Sequence, residues 1–302
     1  AGVAAQPLKI GWLSSLTGPL SAAALAENEG VKLAVDEINK SGGVLGRQIE
    51  LLTRDTAGDP TKAVNFAQQL AFSEKVQFVI GPVNSGEGLA TTPVLARAGI
   101  PSIVISVVDE LTDATKFPRA FRVVSTSQQW LSTANDYAVK TLKKNKVAII
   151  ADTSGFGTYS AKLATDMLTR SGGKAVYVAL VDPNKTDVTD EINKAKAAGA
   201  EVVMTWTSST GLLARILNAR GELGWDVPVI GHPSLMATQI RKLLNKPDYW
   251  ANTFAPGYVS TTYGADGKVP QRTQALIEKM RSKLGGGEID LTFWWVAMGY
   301  DT

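Results

Sequence analysis

The chain of 302 residues is long enough for one large or two medium domains with sizeable cores, and its 44% hydrophobic and 20% charged residues are a soluble, globular composition. The formal net charge of +3 is scattered, and its densest run, residues 140–146 (KTLKKNK), falls at the end of an expected helix, so nucleic-acid binding has little support. With no cysteine there are no disulfides, thiolate nucleophiles or zinc-cysteine sites, and with His232 as the only histidine there are no histidine metal clusters and one residue at most for a Ser-His-Asp triad.

No apolar stretch is long enough to span a bilayer, and the start, AGVAAQPLKIG, resembles the small-residue leader of a mature exported chain. A first strand is read over 8–13 and a helix with an apolar side over 22–39, closed by Gly42-Gly43. A strand over 47–54 follows. Asp59-Pro60 is an N-cap followed by a first-turn proline, ahead of a helix over 63–72.

Residues 76–106 (VQFVIGPVNSGEGLATTPVLARAGIPSIVIS) read as a complete strand, helix, strand crossover. Ser85 is the expected N-cap of its helix, Gly99 the stop, and 101–106 the second strand, ending in Ser106. In open parallel sheets ligands collect where strand carboxyl ends meet helix N-termini, so Ser85 and Ser106 are candidate anchors. The alternative is that both hydroxyls only cap and turn the chain.

Residues 120–124 read as a short strand leaving the first sheet. A second series follows, with helices over 128–142, 161–170, 189–197, 211–219 and 238–244, and strands over 147–151, 175–181, 201–207, 227–230 and 253–260. The alternation predicts parallel α/β architecture in two successive sheets, with 120–127 and 258–263 as crossings between them. A charged amphipathic helix over 270–284, a glycine loop and the aromatic segment Phe293-Trp294-Trp295 close the sequence.

Several chemistries lack their motifs. There is no G-x-x-x-x-G-K-[ST] loop, no G-x-G-x-x-G after a strand (Gly155-Phe156-Gly157 lacks the third glycine), and no G-x-S-x-G elbow. Asp55, Asp109 and Asp152 follow expected strands, where capping and loop hydrogen bonds are the ordinary roles of carboxylates. An enzyme is therefore not expected.

The segments LKIGWLSSLTGPLS, EGVKLAVDEINKSGGVLGRQIELLTRDTAGDPTKAV, FVIGPVNSG, AFRVVSTS and VAIIADTSGFG stand in the order and spacing of the type I periplasmic substrate-binding proteins of ABC importers. The chain resembles their branched-chain amino-acid branch over nearly its whole length. The resemblance implies an α/β fold of two doubly wound parallel-sheet lobes joined by a hinge near Ser125 and Ser260, with lobe 1 formed by 1–123 plus 260–302 and lobe 2 by 124–259. It further implies a ligand captured in the cleft by lobe closure, export to the periplasm with the signal peptide removed, and delivery to a membrane permease. A monomer with no cofactor or resident metal is expected.

By position, the resemblance places Asn84, Ser85 and the loop from Ser106 through Val108 on the ligand carboxylate, Phe156 and Ser208 at aromatic positions of the second lobe, and Trp295 at a returning aromatic. The aromatic usual after the Gly-Pro turn is Ala23, the acidic partner of a ligand ammonium is replaced by His232-Pro233-Ser234, and the family's chains continue past Thr302. Trp206 and Trp294 suit either a pocket wall or a core.

Burying an ammonium without an acidic partner costs several kcal/mol. Ala23 and Ser208 widen the pocket, while Phe156, Trp295 and Trp206 supply flat walls. The expected ligand is therefore an aromatic carboxylate, such as a benzoate or phenylpropanoid acid. The alternative is a branched-chain or other amino acid, for which Asp109 is a source of negative charge. A ligand-sensing regulatory module is the other class of function; a repressor would carry a DNA-binding headpiece, and no helix-turn-helix is read before Leu8.

Overall fold

The strands of the computed structural model, which describes residues 6–258, 264, 266–284 and 291–302, form two five-stranded sheets, parallel throughout. Helix-linked strands of this kind bury both sheet faces, which is why the strands read as apolar runs and not as alternating ones. Contacts group the chain into two compact units, Ala1–Ser127 with Ser154–Phe156 and Met298–Thr302, and Gln128–Thr153 with Gly157–Ala297.

In the first unit β1 (Leu8–Ser14), α1 (Ser21–Lys40), β2 (Ile49–Asp55), α2 (Pro60–Gln68), β3 (Phe78–Ile80), α3 (Ser85–Arg97), β4 (Ser102–Val104) and β5 (Ala120–Arg122) build a sheet of order β2-β1-β3-β4-β5. Adjacent residues of one strand serve opposite faces. Trp12 and Ile80 pack with Val31 of α1, whereas Leu13 and Val79 pack with Ala67 of α2 and Val94 and Leu95 of α3. Asp59 caps α2 as expected, its Oδ1 accepting from Thr61 N at 2.8 Å and Lys62 N at 3.2 Å.

The second unit contains β6 (Lys146–Asp152), β7 (Lys174–Val181), α6 (Thr189–Ala197), β8 (Val202–Trp206), α7 (Thr210–Glu222), β9 (Val229–Gly231), α8 (Thr238–Arg241), β10 (Thr253–Phe254) and α9 (Gln271–Leu284). Its sheet order is β10-β9-β8-β6-β7. Three helices straddle the two contact groups: α4 (Ser127–Asp136), α5 (Gly155–Arg170) and α10 (Leu291–Asp301). Ala148, Ile150, Val203 and Val229 meet Ile192 of α6, Leu213 and Leu217 of α7 and Ile240 of α8 in the larger core.

Several elements differ from the sequence reading. Residues 120–122 do not leave the first sheet; they form its edge strand, registered Ser102↔Ala120, because Arg122 pins it by donating to Ser106 O (2.8 Å) and Thr112 Oγ1 (2.7 Å). The helix over 63–72 and that over 128–142 both end in a π turn, at residues 69–73 and 137–141. Helix α5 begins six residues before its expected start at 161, so Phe156 lies in its first turn. Contacts place 271–284 and most of α10 with the second unit and Phe156 with the first, whereas the sequence partition assigned 260–302 to lobe 1 and Phe156 to lobe 2. The end of the strand expected over 253–260 and the crossing at Ser260 lie outside the described residues.

Gly81, directly after β3, adopts φ +85°, and a Cβ there would stand 2.2 Å from Leu13 O. Gly81→Ala should lower unfolding stability by about 1–3 kcal/mol. Urea denaturation measures this, and an unchanged midpoint would contradict the account.

Candidate ligand-binding site

In each sheet the topology reverses beside one strand, β1 in the first and β6 in the second, and helices depart from that point in opposite directions along the sheet. Of the residues singled out in the sequence, Ser85 and Ser106 follow β3 and β4, Phe156 follows β6, and Ser208 and His232 follow β8 and β9, whereas Ala23 and Trp295 lie in α1 and α10. In the first unit Asn84, not Ser85, is the N-cap of α3: its Oδ1 accepts from Gly86 N at 2.9 Å. An extended backbone (φ −76°, ψ 134°) at Asn84 sets the cap one residue earlier than the sequence suggested.

Ser85 is thereby the first residue of α3, 1% exposed, with Oγ accepting from Val107 N at 3.3 Å. That bond uses a lone pair and leaves the Ser85 O–H able to donate. Ser106 is fully buried and its hydroxyl donates to main-chain carbonyls, Pro82 O at 2.8 Å and Asn84 O at 3.0 Å. It therefore braces the loop that carries Ser85, since one proton serves both carbonyls. Val108 is wholly buried, and Ala23 lies buried in α1. Beneath the loop, Glu87 accepts from Ser15 Oγ at 2.7 Å; burial pushes its carboxyl above the ordinary range, and the Ser15 hydrogen bond opposes that shift.

In the second unit the buried Asp152, at the end of β6, receives the Thr207 hydroxyl at 2.5 Å from beyond β8. Thr207 Oγ1 in turn accepts from Ser209 N at 3.1 Å, and Ser209 caps α7 through Leu212 N at 3.2 Å. Ser208 sits half-buried between them. Trp206 is fully buried at the end of β8, and its indole N–H has no acceptor. Phe156 and Trp295 are 5% and 2% exposed.

His232 follows β9. Its Nδ1 accepts from Ser234 N at 3.2 Å and lies 2.7 Å from Ser234 Oγ, which assigns the ring proton to Nε2. Burial alone lowers its pKa to about 3, so the imidazole is neutral at physiological pH. Edge-on to it, 5.1 Å between centroids, stands Trp130 in the first turn of α4. Trp130 also meets Trp294 at 5.9 Å, and Trp294 meets Tyr258 at 5.1 Å and Trp295 at 6.4 Å. Among the described residues no group of three or more His, Cys, Asp or Glu is arranged to hold a metal ion.

The family profile described as periplasmic binding protein matches residues 7–301. The chain belongs to this family. Among the relatives of this periplasmic binding protein is the Leu/Ile/Val-binding protein homolog 3 of Brucella melitensis, 29% identical over 94% of this chain and 74% of the relative. Solved structures share the two-sheet fold. A branched-chain amino-acid transporter substrate-binding protein, LivJ from Streptococcus pneumoniae in complex with isoleucine, superposes with a TM-score of 0.81 at 24% identity, covering 98% of this chain and 81% of that one. A solute-binding protein of an ABC transporter from R. palustris in complex with benzoate does so at 0.80 and 20%, covering 98% and 78%.

The sequence reading did not single out Trp130, which packs against His232 and Trp294. The available signal was a tryptophan in the first turn of a helix directly after an expected crossing, which puts a large ring at the carboxyl edge of the next sheet.

Because the folded chain holds His232 neutral, its contribution to stability is complete above the unfolded value near 6.5 and is lost as pH falls toward about 3. His232→Asn keeps an acceptor for Ser234 but does not titrate there. The stability advantage of the native chain over this variant should therefore shrink by up to about 1.4 kcal/mol per pH unit between pH 6.5 and 4. Urea unfolding at pH 7, 6, 5 and 4.5 measures the gap; a constant gap would contradict the assignment.

Proposed function

We propose that this solute-binding protein captures a small aromatic carboxylate outside the cytoplasm and passes it, chemically unchanged, to the permease of an ABC importer. In this reading the ligand carboxylate meets the Ser85 hydroxyl at the N-terminus of α3, a charge-assisted hydrogen bond supported by the helix dipole. Its ring meets the aromatic residues of the second unit, and capture proceeds by closure of the two units on the ligand, as a monomer in the periplasm. The observation that supports the preference is His232, a neutral imidazole set edge-on against Trp130, at the segment where the resemblance puts the acidic partner of an ammonium.

A second reading, a branched-chain amino acid, is favoured by Asp109, which opens a short 3₁₀ turn at the carboxyl edge of the first sheet. There a carboxylate would stand near an α-ammonium whose neighbouring carboxyl group is held by Ser85. The names of the relatives point the same way.

Calorimetric titration with benzoate, 4-hydroxybenzoate, a phenylpropanoid acid, leucine, isoleucine and valine separates the two. The aromatic acids should bind with a decrease in radius of gyration by solution scattering. Tight binding of leucine or valine with silent aromatic acids would replace the first reading by the second. For the tightest carboxylate, Ser85→Ala should weaken binding by about 1.5–3 kcal/mol and lower unfolding stability by less, about 1 kcal/mol from the acceptor lost to Val107 N. A lower melting temperature with unchanged affinity would reduce Ser85 to a structural role.

A further inference from the structure

A second cavity lies within the first unit, at the opposite edge of its sheet from Ser85 and Ser106. About 260 Å³ in volume, it opens where β4 and β5 begin, and it is lined by Thr92 and Ala96 of α3, Ile100, Ser102, Pro118 and Arg119. Its chemistry is one-sided. Arg119 is the only ionisable side chain in the lining, and among the described residues it forms no ion pair and one hydrogen bond, from Nη1 to Gly99 O at 2.6 Å. A guanidinium carries five N–H donors, so most of its fork is unclaimed.

The hydroxyls point the same way. Thr92 is 1% exposed and its Oγ1 is sealed from solvent without a partner, and Ser102 is 2% exposed with no side-chain hydrogen bond. A Ser102 hydroxyl without a side-chain partner, beside a guanidinium with free donors, suits a ligand that accepts hydrogen bonds. Ala96, Ile100, Pro118 and Ala120 make the remaining wall apolar, which suits a carbon body and not an inorganic oxyanion.

We propose that this cavity is a second binding site, for a small organic carboxylate whose oxygens meet the Arg119 guanidinium and the Ser102 hydroxyl, and whose short apolar body lies against Ile100 and Pro118. The site is separate from the proposed transport ligand, which engages the other end of the sheet.

The test is a ¹⁵N-NMR titration of the whole ligand-free protein with butyrate, alongside inorganic phosphate and neutral butyramide. Butyrate should give saturable shifts at the amides of Gly99, Ile100, Ser102 and Ala120, with affinity reduced about tenfold or more in Arg119→Gln. Ser102→Ala should weaken it less. Arg119 is an exposed side chain, so its variant is expected to fold. Linear, non-saturating shifts, equal binding of butyramide, an effect of phosphate matching that of butyrate, or unchanged binding in Arg119→Gln would each overturn the proposal. Loss of aromatic-acid binding at the transport site with these shifts retained would overturn only the reading of that site.

Discussion

At the reversal point of each sheet a buried carboxylate receives a hydroxyl from the neighbouring strand end: Ser15 donates to Glu87 across β1 and β3, and Thr207 donates to Asp152 across β6 and β8. The reversal point is where a parallel sheet is weakest in local bracing, because the chain leaves its two adjacent strands toward opposite sides. A carboxylate buried there without donors would cost several kcal/mol; bonded, it fixes the separation of the two strand ends. Everything proposed about ligand capture depends on those separations. Ser85 stands two residues from Glu87 in the same first turn, and Trp206, Ser208 and Ser209 flank Thr207.

The bracing extends outward by further hydrogen bonds. Ser106 holds the loop of Pro82 and Asn84, Asn84 caps α3, and Arg122 gathers Ser106, Asp109 and Thr112 by their oxygens. Of Ser85 and Ser106, it is Ser85 that keeps an undonated proton. A residue whose neighbours are all committed elsewhere is preorganised toward an incoming acceptor, which lowers the ordering cost of binding.

The alternation of strands and helices was legible because parallel strands buried on both faces are apolar runs, and runs such as residues 147–151 have no competing interpretation. Caps supplied by side chains were legible where the geometry is strictly local, as at Asp59. The misassigned cap at Asn84 turned on backbone dihedrals that Asn and Ser tolerate equally. The start of α5 was illegible for another reason. Gly155 and Gly157 disfavour a helix by propensity, yet a Cβ at Gly157 would come within 2.2 Å of Asp152 O, so glycine is demanded by close approach of helix to strand end. The edge strand β5 was misread because Arg122, twenty residues on from Ser102, is what holds it in register. Trp130 was missed because its importance arises only from neighbours more than a hundred residues away, His232 and Trp294.

The choice between an aromatic acid and an amino acid turns on whether the second unit has a carboxylate to offer an ammonium. Asp152 is the natural candidate, being buried at a strand end. Its geometry argues against that role: Oδ2 holds the Thr207 hydroxyl, and Oδ1 lies so near Gly157 that a Cβ there would stand 2.4 Å away. Both oxygens face the frame of their own unit. Releasing Asp152 to a ligand would unfasten Thr207, and with it the Ser209 cap of α7, so any gain from pairing an ammonium would be offset by the loss of a buried charge-assisted bond. After β9 the second unit holds instead the buried, neutral His232. A neutral, desolvated imidazole offers no charge to an ammonium, and that is the ground on which the aromatic carboxylate is proposed.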